Sequence, residues 1–106
     1  MEKYNKELIT YISKRSGIDE DEINYNSVIE DDLGITGDDA EELIIEFSKF
    51  FKVNIDNFRF NRYFYPEPSL FSSGEEDDKL PLTIGHLARS IILGRLDDSV
   101  IKSNQQ

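Results

Sequence analysis

The stretch "DDLGITGDDAEELIIEFSKFF", Asp31 to Phe51, decides how the rest of the chain is read. Its second half has the period of an amphipathic helix. Ala40, Leu43, Ile44, Phe47 and Phe51 fall at i, i+3, i+4, i+7 and i+11 and make one apolar stripe. Thr36 or Asp38 is placed to cap this helix, and Asp39, Glu41 and Glu42 crowd its first turns, where unpaired backbone N–H groups favour negative charge. Ile45 and Phe50 lie off the stripe, so the helix is either buried on more than one side or keeps an apolar strip for a partner.

Upstream, Tyr4, Leu8, Tyr11 and Ile12 share one face of a first helix over about residues 2–15. Lys14 and Arg15 suit its negative C-terminal end, and Gly17 stops it. A long connection follows, with Ile18, Ile23, Val28, Ile29 and Leu33 as dispersed apolar anchors. Downstream, "NIDNFRFNRYFY" fits either a short strand or a helical turn. The turn is favoured because no second strand exists to satisfy the backbone of the first. Residues 66–80, rich in Pro, Ser, Gly and acids, read as a flexible loop. Thr83 then caps a last helix with Ile84, Leu87, Ala88, Ile91 and Ile92 on its apolar face, and Gly94 ends it. The expectation is an all-α fold, a small three- or four-helix bundle with long loops. It forms one domain over residues 1–97, followed by a frayed tail at 98–106.

The charge is uneven. Residues 1–18 carry four bases and two acids, residues 19–46 carry twelve acids and no base, and the remainder is balanced at eight each, for a net charge of −10. Such a field disfavours nucleic acid and anionic membranes and favours a basic protein surface. With no run of 18 apolar residues, no membrane span is expected. The N-terminus lacks the continuous apolar core of a signal peptide, and the absence of cysteine suits the cytoplasm.

Chemistry finds little support. The lone histidine, His86, reads as a surface residue at a helix start, and one histidine without cysteine cannot build a usual zinc site. An EF-hand register begun at Asp32 puts Gly34 at position 3 and Leu43 at position 12, where a bidentate glutamate belongs. Carboxylate pairs such as Asp38 with Glu41 look solvent-facing, without the burial that raises a catalytic pKa. No catalytic residue, metal site or cofactor is expected, and the chain reads as a non-enzyme.

The order of features resembles an acyl carrier protein: a helix, a long loop, "DLG", an acidic helix, a short third element and a closing helix begun by "LTIGHLARSII". Carrier proteins typically read D-L-G, two residues, then D-S-L, with an E-L pair farther along. This chain has Asp32-Leu33-Gly34 and Glu42-Leu43 at that spacing. In that register Gly37 stands at the family's attachment serine, Thr36 at its aspartate and Asp38 at its leucine. The chain is more similar still to an uncharacterised bacterial family regarded as acyl-carrier-like, whose hallmarks match Gly37–Leu43 ("GDDAEEL"), Arg62–Phe64 ("RYF"), Pro81–Thr83 ("PLT") and Gly94-Arg95. That resemblance implies a fold and no established activity.

Phosphopantetheine attaches through a side-chain oxygen, and Gly37 has none. Thr36 is a poor substitute, since a one-residue shift turns a helical side chain by about 100°. What the resemblance leaves is a recognition face. Asp38, Asp39, Glu41, Glu42, Ile45 and Glu46 are the expected docking residues for a basic protein partner, such as a carrier-dependent enzyme. The alternative is an acyl or lipid carrier that uses an unconventional attachment site or binds its ligand noncovalently.

Overall fold

In the computed structural model, which describes residues 2–63 and 80–102, the elements are helical. They are α1 (Glu2–Ser16), a 3₁₀ turn (Glu20–Glu22), α2 (Gly37–Phe51), α3 (Phe60–Tyr63), α4 (Ile84–Leu93) and α5 (Asp98–Lys102). Among the described residues there is no strand, so the all-α expectation holds, as does a short helix rather than a strand in the aromatic segment. The loop expected at 66–80 lies, but for Leu80, outside the described residues.

The apolar stripes meet in one core. Leu8 and Ile12 of α1, Ala40, Leu43, Ile44 and Phe47 of α2, and Ile84, Leu87 and Ala88 of α4 are all buried. Of the loop anchors, Ile23, Ile29 and Leu33 are buried with Ile35, while Ile18 packs from the edge. Later residues of α1 meet earlier residues of α2. Tyr11 packs against Phe47, Phe50 and Phe51, and the Arg15 guanidinium pairs with Glu46. The two helices therefore run in opposite senses.

The long connection is held by backbone contacts that no local pattern announces. Ile29 N–H donates to Leu82 O at 2.9 Å, Ile84 N–H to Ser27 O at 3.0 Å and Gly85 N–H to Tyr25 O at 2.9 Å, around an isolated antiparallel bridge of Val28 with Thr83. Gly85 permits this approach, because a Cβ there would stand 3.2 Å from the Tyr25 carbonyl oxygen. Asp32 closes the "DLG" turn: its Oδ2 accepts from Val28 N–H at 2.7 Å, and its own N–H donates to Val28 O at 2.8 Å. The segments after α2 and α4 are joined the same way, with Asn54 N–H donating to Gly94 O and Leu96 N–H to Asn54 O.

Three expectations are corrected. Residues 98–102, assigned to the frayed tail, form α5. Asp97 Oδ1 accepts from Ser99 N–H and Val100 N–H, and Val100 and Ile101 are buried. Tyr63, buried and stacked on Phe58, donates its hydroxyl to Asp98 and ties α3 to α5. Ile92, placed on the buried face of α4, is 53% exposed, and Ile91 beside it is the residue of that last turn that packs against the core. His86, read as a surface residue, is buried: Thr83 N–H donates to its Nδ1 at 3.0 Å, while His86 N–H donates to Thr83 Oγ1 at 3.2 Å. This is a reciprocal capping box, with histidine in the place usually held by Glu or Gln. Burial holds the His86 pKa below its ordinary 6.5, so the ring stays a neutral acceptor.

Candidate functional site

The start of α2 fixes the site. Thr36 stands at the N-cap in extended conformation, but its side chain caps nothing; its hydroxyl donates instead to the Glu30 carboxylate. That bond reaches back to the "DLG" loop, which explains why the expected cap is absent and leaves the Thr36 oxygen engaged. Asp38, the other candidate cap, lies inside the helix. Gly37 has φ +61°, and a Cβ built on it would meet no atom within 4 Å. The position is therefore open in space and closed by its backbone: the left-handed region costs an L side chain about 1–2 kcal/mol. Gly37, which the sequence resemblance sets at the attachment serine of carrier proteins, has no side-chain oxygen and a conformation that serine disfavours. Phosphopantetheine does not fit it.

Beyond Gly37, Asp38, Asp39, Glu41 and Glu42 are exposed and form no ion pair among the described residues. They favour the helix N-terminus on which they stand. Ile45 and Glu46 are half-buried, and Glu46 is taken by Arg15. The six expected docking residues therefore divide. Asp39 and Glu42 turn toward α1 and rim a cleft of about 280 Å³ with Arg15 and Ser16, floored by Leu33, Ile35 and Leu43. Asp38 and Glu41 do not line it, and with Ile45 they occupy the next strip around the helix.

The sequence reading missed the other wall of this valley. Tyr11 donates its hydroxyl to the Leu43 carbonyl at 3.0 Å and stacks on Phe50 with ring centroids 5.8 Å apart and planes 10° apart. Burial raises the Tyr11 pKa, opposed by nearby Arg15, so the phenol remains a donor. The Arg15 guanidinium lies 5.3 Å from the centre of the Tyr11 ring. In the sequence Arg15 had only its helix-end position to be read by, and its pairing with Glu46 depends on how α1 crosses α2.

A family's sequence profile matches residues 1–96. The chain belongs to the DUF1493 family, proteins of unknown function. Comparison with curated proteins returns no match, and comparison with solved structures returns none either. The DUF1493 match takes in Gly37 and every acid of α2, and it ends at Leu96, just before the Asp97 cap of α5. Among the described residues of this DUF1493 protein, no group of three His, Asp or Glu side chains is placed to hold a metal ion. None of the described helices is long and apolar enough to cross a membrane.

Proposed function

We propose that this DUF1493 protein is a non-catalytic, acyl-carrier-like interaction protein that docks a basic surface of a partner protein through α2 and carries no phosphopantetheine arm. One observation carries the reading. Four exposed carboxylates, Asp38, Asp39, Glu41 and Glu42, with no ion pair among the described residues, fill the first turns of a helix that begins at a left-handed glycine, the residue the resemblance sets at the attachment position. In the carrier proteins that the chain resembles, the second helix offers acids to basic patches on enzymes; here that helix keeps the acids and lacks the oxygen. Ile45, half-buried beside Glu41, adds a small apolar contact. Thr36 is a poor attachment point, because its hydroxyl is bonded to Glu30.

Docking of this kind is electrostatic, so salt tests it. Proteins captured from an extract at about 0.05 M salt should include a basic partner that is released near 0.5 M, where screening shortens the reach of the acids to about 4 Å. A partner retained undiminished at the higher salt would have to bind elsewhere on the molecule.

A further inference from the structure

A groove of about 620 Å³ runs along α1, lined by Lys6, Tyr11, Lys14 and Arg15 with Phe50 of α2, and Glu7 is its one acid. None of the four α2 carboxylates of the docking face lines it. Its floor is fixed. Tyr11 gives its hydroxyl to Leu43 O and stacks on Phe50, and Arg15 is held over the Tyr11 ring and against Glu46. Thr10, also at the groove, gives its hydroxyl to Glu20 at 3.0 Å. Other groups are left uncovered. Phe50 is 64% exposed, more than any other large apolar side chain among the described residues. Lys6 and Lys14 are exposed and make no ion pair among the described residues. The same holds of Lys49 and Lys52, on either side of Phe50 in the sequence at the end of α2. Because α1 and α2 run in opposite senses, these lysines make one basic pole on a chain of net charge −10.

Lys6 and Lys14 lie about 12 Å apart along the helix axis, at about 1.5 Å per residue, and Tyr11 stands between them in the chain. A small anion satisfies one lysine or the other and leaves the aromatic surface bare. A ligand that fills the groove carries anionic groups about 12 Å apart, with an apolar group between them. We propose that the groove takes an acidic amphipathic helix from a partner protein. Two of its carboxylates, about two turns apart, face Lys6 and Lys14, and an apolar or aromatic side chain between them rests on Phe50 and Tyr11. Charge complementarity selects this occupant, since a basic helix would set its cations against the two lysines. The net charge of −10 opposes an acidic ligand at long range. At about 0.15 M salt, though, that field decays over about 8 Å, while the lysines touch what they bind.

The test uses the full chain, labelled with nitrogen-15, and a synthetic alanine-based helix of about 15 residues with glutamates two turns apart and a phenylalanine between them. At about 0.15 M salt the peptide should shift the backbone amides of α1 and those around Phe50, with a Kd of about 0.05–0.5 mM. Lys6→Glu, Lys14→Glu and Phe50→Ser should each raise that Kd about fivefold or more, and so should glutamine in place of the peptide's glutamates. All three positions are exposed, and the amide spectrum of each variant reports whether the fold is kept. Glu41→Gln with Glu42→Gln should bind the peptide within about twofold of wild type, so failure of this groove and failure of the α2 face read out separately. No shift up to about 1 mM peptide, shifts that map elsewhere, or a Kd indifferent to Lys14→Glu and Phe50→Ser overturns the proposal. So do equal shifts with laurate, which would assign the groove to a lipid. Shifts there on concentrating the chain alone would assign it to a second copy and overturn it as well.

Discussion

Replacing Gly37 by serine supplies a side-chain oxygen of the kind carrier proteins use for attachment, and the structure predicts what that change costs. The left-handed conformation at φ +61° is worth about 1–2 kcal/mol against an L side chain. Against this, a side chain stiffens the unfolded chain and returns about 0.4–1 kcal/mol. No steric term enters, because nothing lies within 4 Å of the added Cβ. The net loss is about 1 kcal/mol, a fall in Tm of about 4–8 °C for a domain of this size. Urea and thermal denaturation of Gly37→Ser, Gly37→Ala and Gly37→Asn should give Ser and Ala the same loss and Asn a smaller one, since asparagine visits the left-handed region most readily of the three. A serine variant as stable as wild type, or an asparagine variant no better than alanine, would refute the claim that glycine is required by the backbone here. Coexpression with a broad-range phosphopantetheinyl transferase adds a second readout: the intact mass of the wild type should not change.

Other perturbations test the parts that hold the fold. Truncation after Asp97 removes the burial of Val100 and Ile101, each worth about 1.5–3 kcal/mol; the shortened chain should lose about 3–6 kcal/mol of a typical 5–15 kcal/mol stability, visible as a large fall in the urea midpoint. Thr83→Ala breaks the capping box and should cost about 1 kcal/mol by the same assay. His86 makes stability depend on pH. Its folded pKa lies below the ordinary 6.5, so as pH falls through about 6.5 the unfolded chain takes up a proton that the folded one refuses, and stability declines. His86→Gln keeps an N3 residue fit for the box and removes the titration. Its stability should stay flat between pH 7.5 and 5.5 where the wild type falls, about the range in which histidine changes charge.

The parts of this fold legible in the sequence are those fixed by local spacing. The stripe Ala40, Leu43, Ile44, Phe47 and the pair Thr83 and Gly94 each specify an element by themselves, and the structure has them where the spacing puts them. His86 was misread because its burial comes from the box it closes with Thr83; the signal was present, a histidine three residues after a capping threonine, but in a slot usually held by Glu or Gln. The helix α5 also had a signal, in Asp97 followed by Val100 and Ile101, hidden by the shortness of the segment. Nothing local announces the docking of Ser27–Ile29 on Leu82–Ile84, which are more than fifty residues apart and joined by backbone bonds whose one trace in the sequence is the glycine at Gly85. In the candidate site the acids were legible as a helix start. Their division by Arg15, and the wall made by Tyr11 and Phe50, follow from the crossing of two helices.

The most direct test of the docking account compares the wild type with a Glu41→Lys, Glu42→Lys variant as baits in the same cell extract. Both substitutions lie on an exposed helical surface away from the core, so the variant should fold. The account predicts a basic protein recovered on the wild type and lost on the variant, with mass spectrometry naming it. Equal recovery on both baits would contradict it.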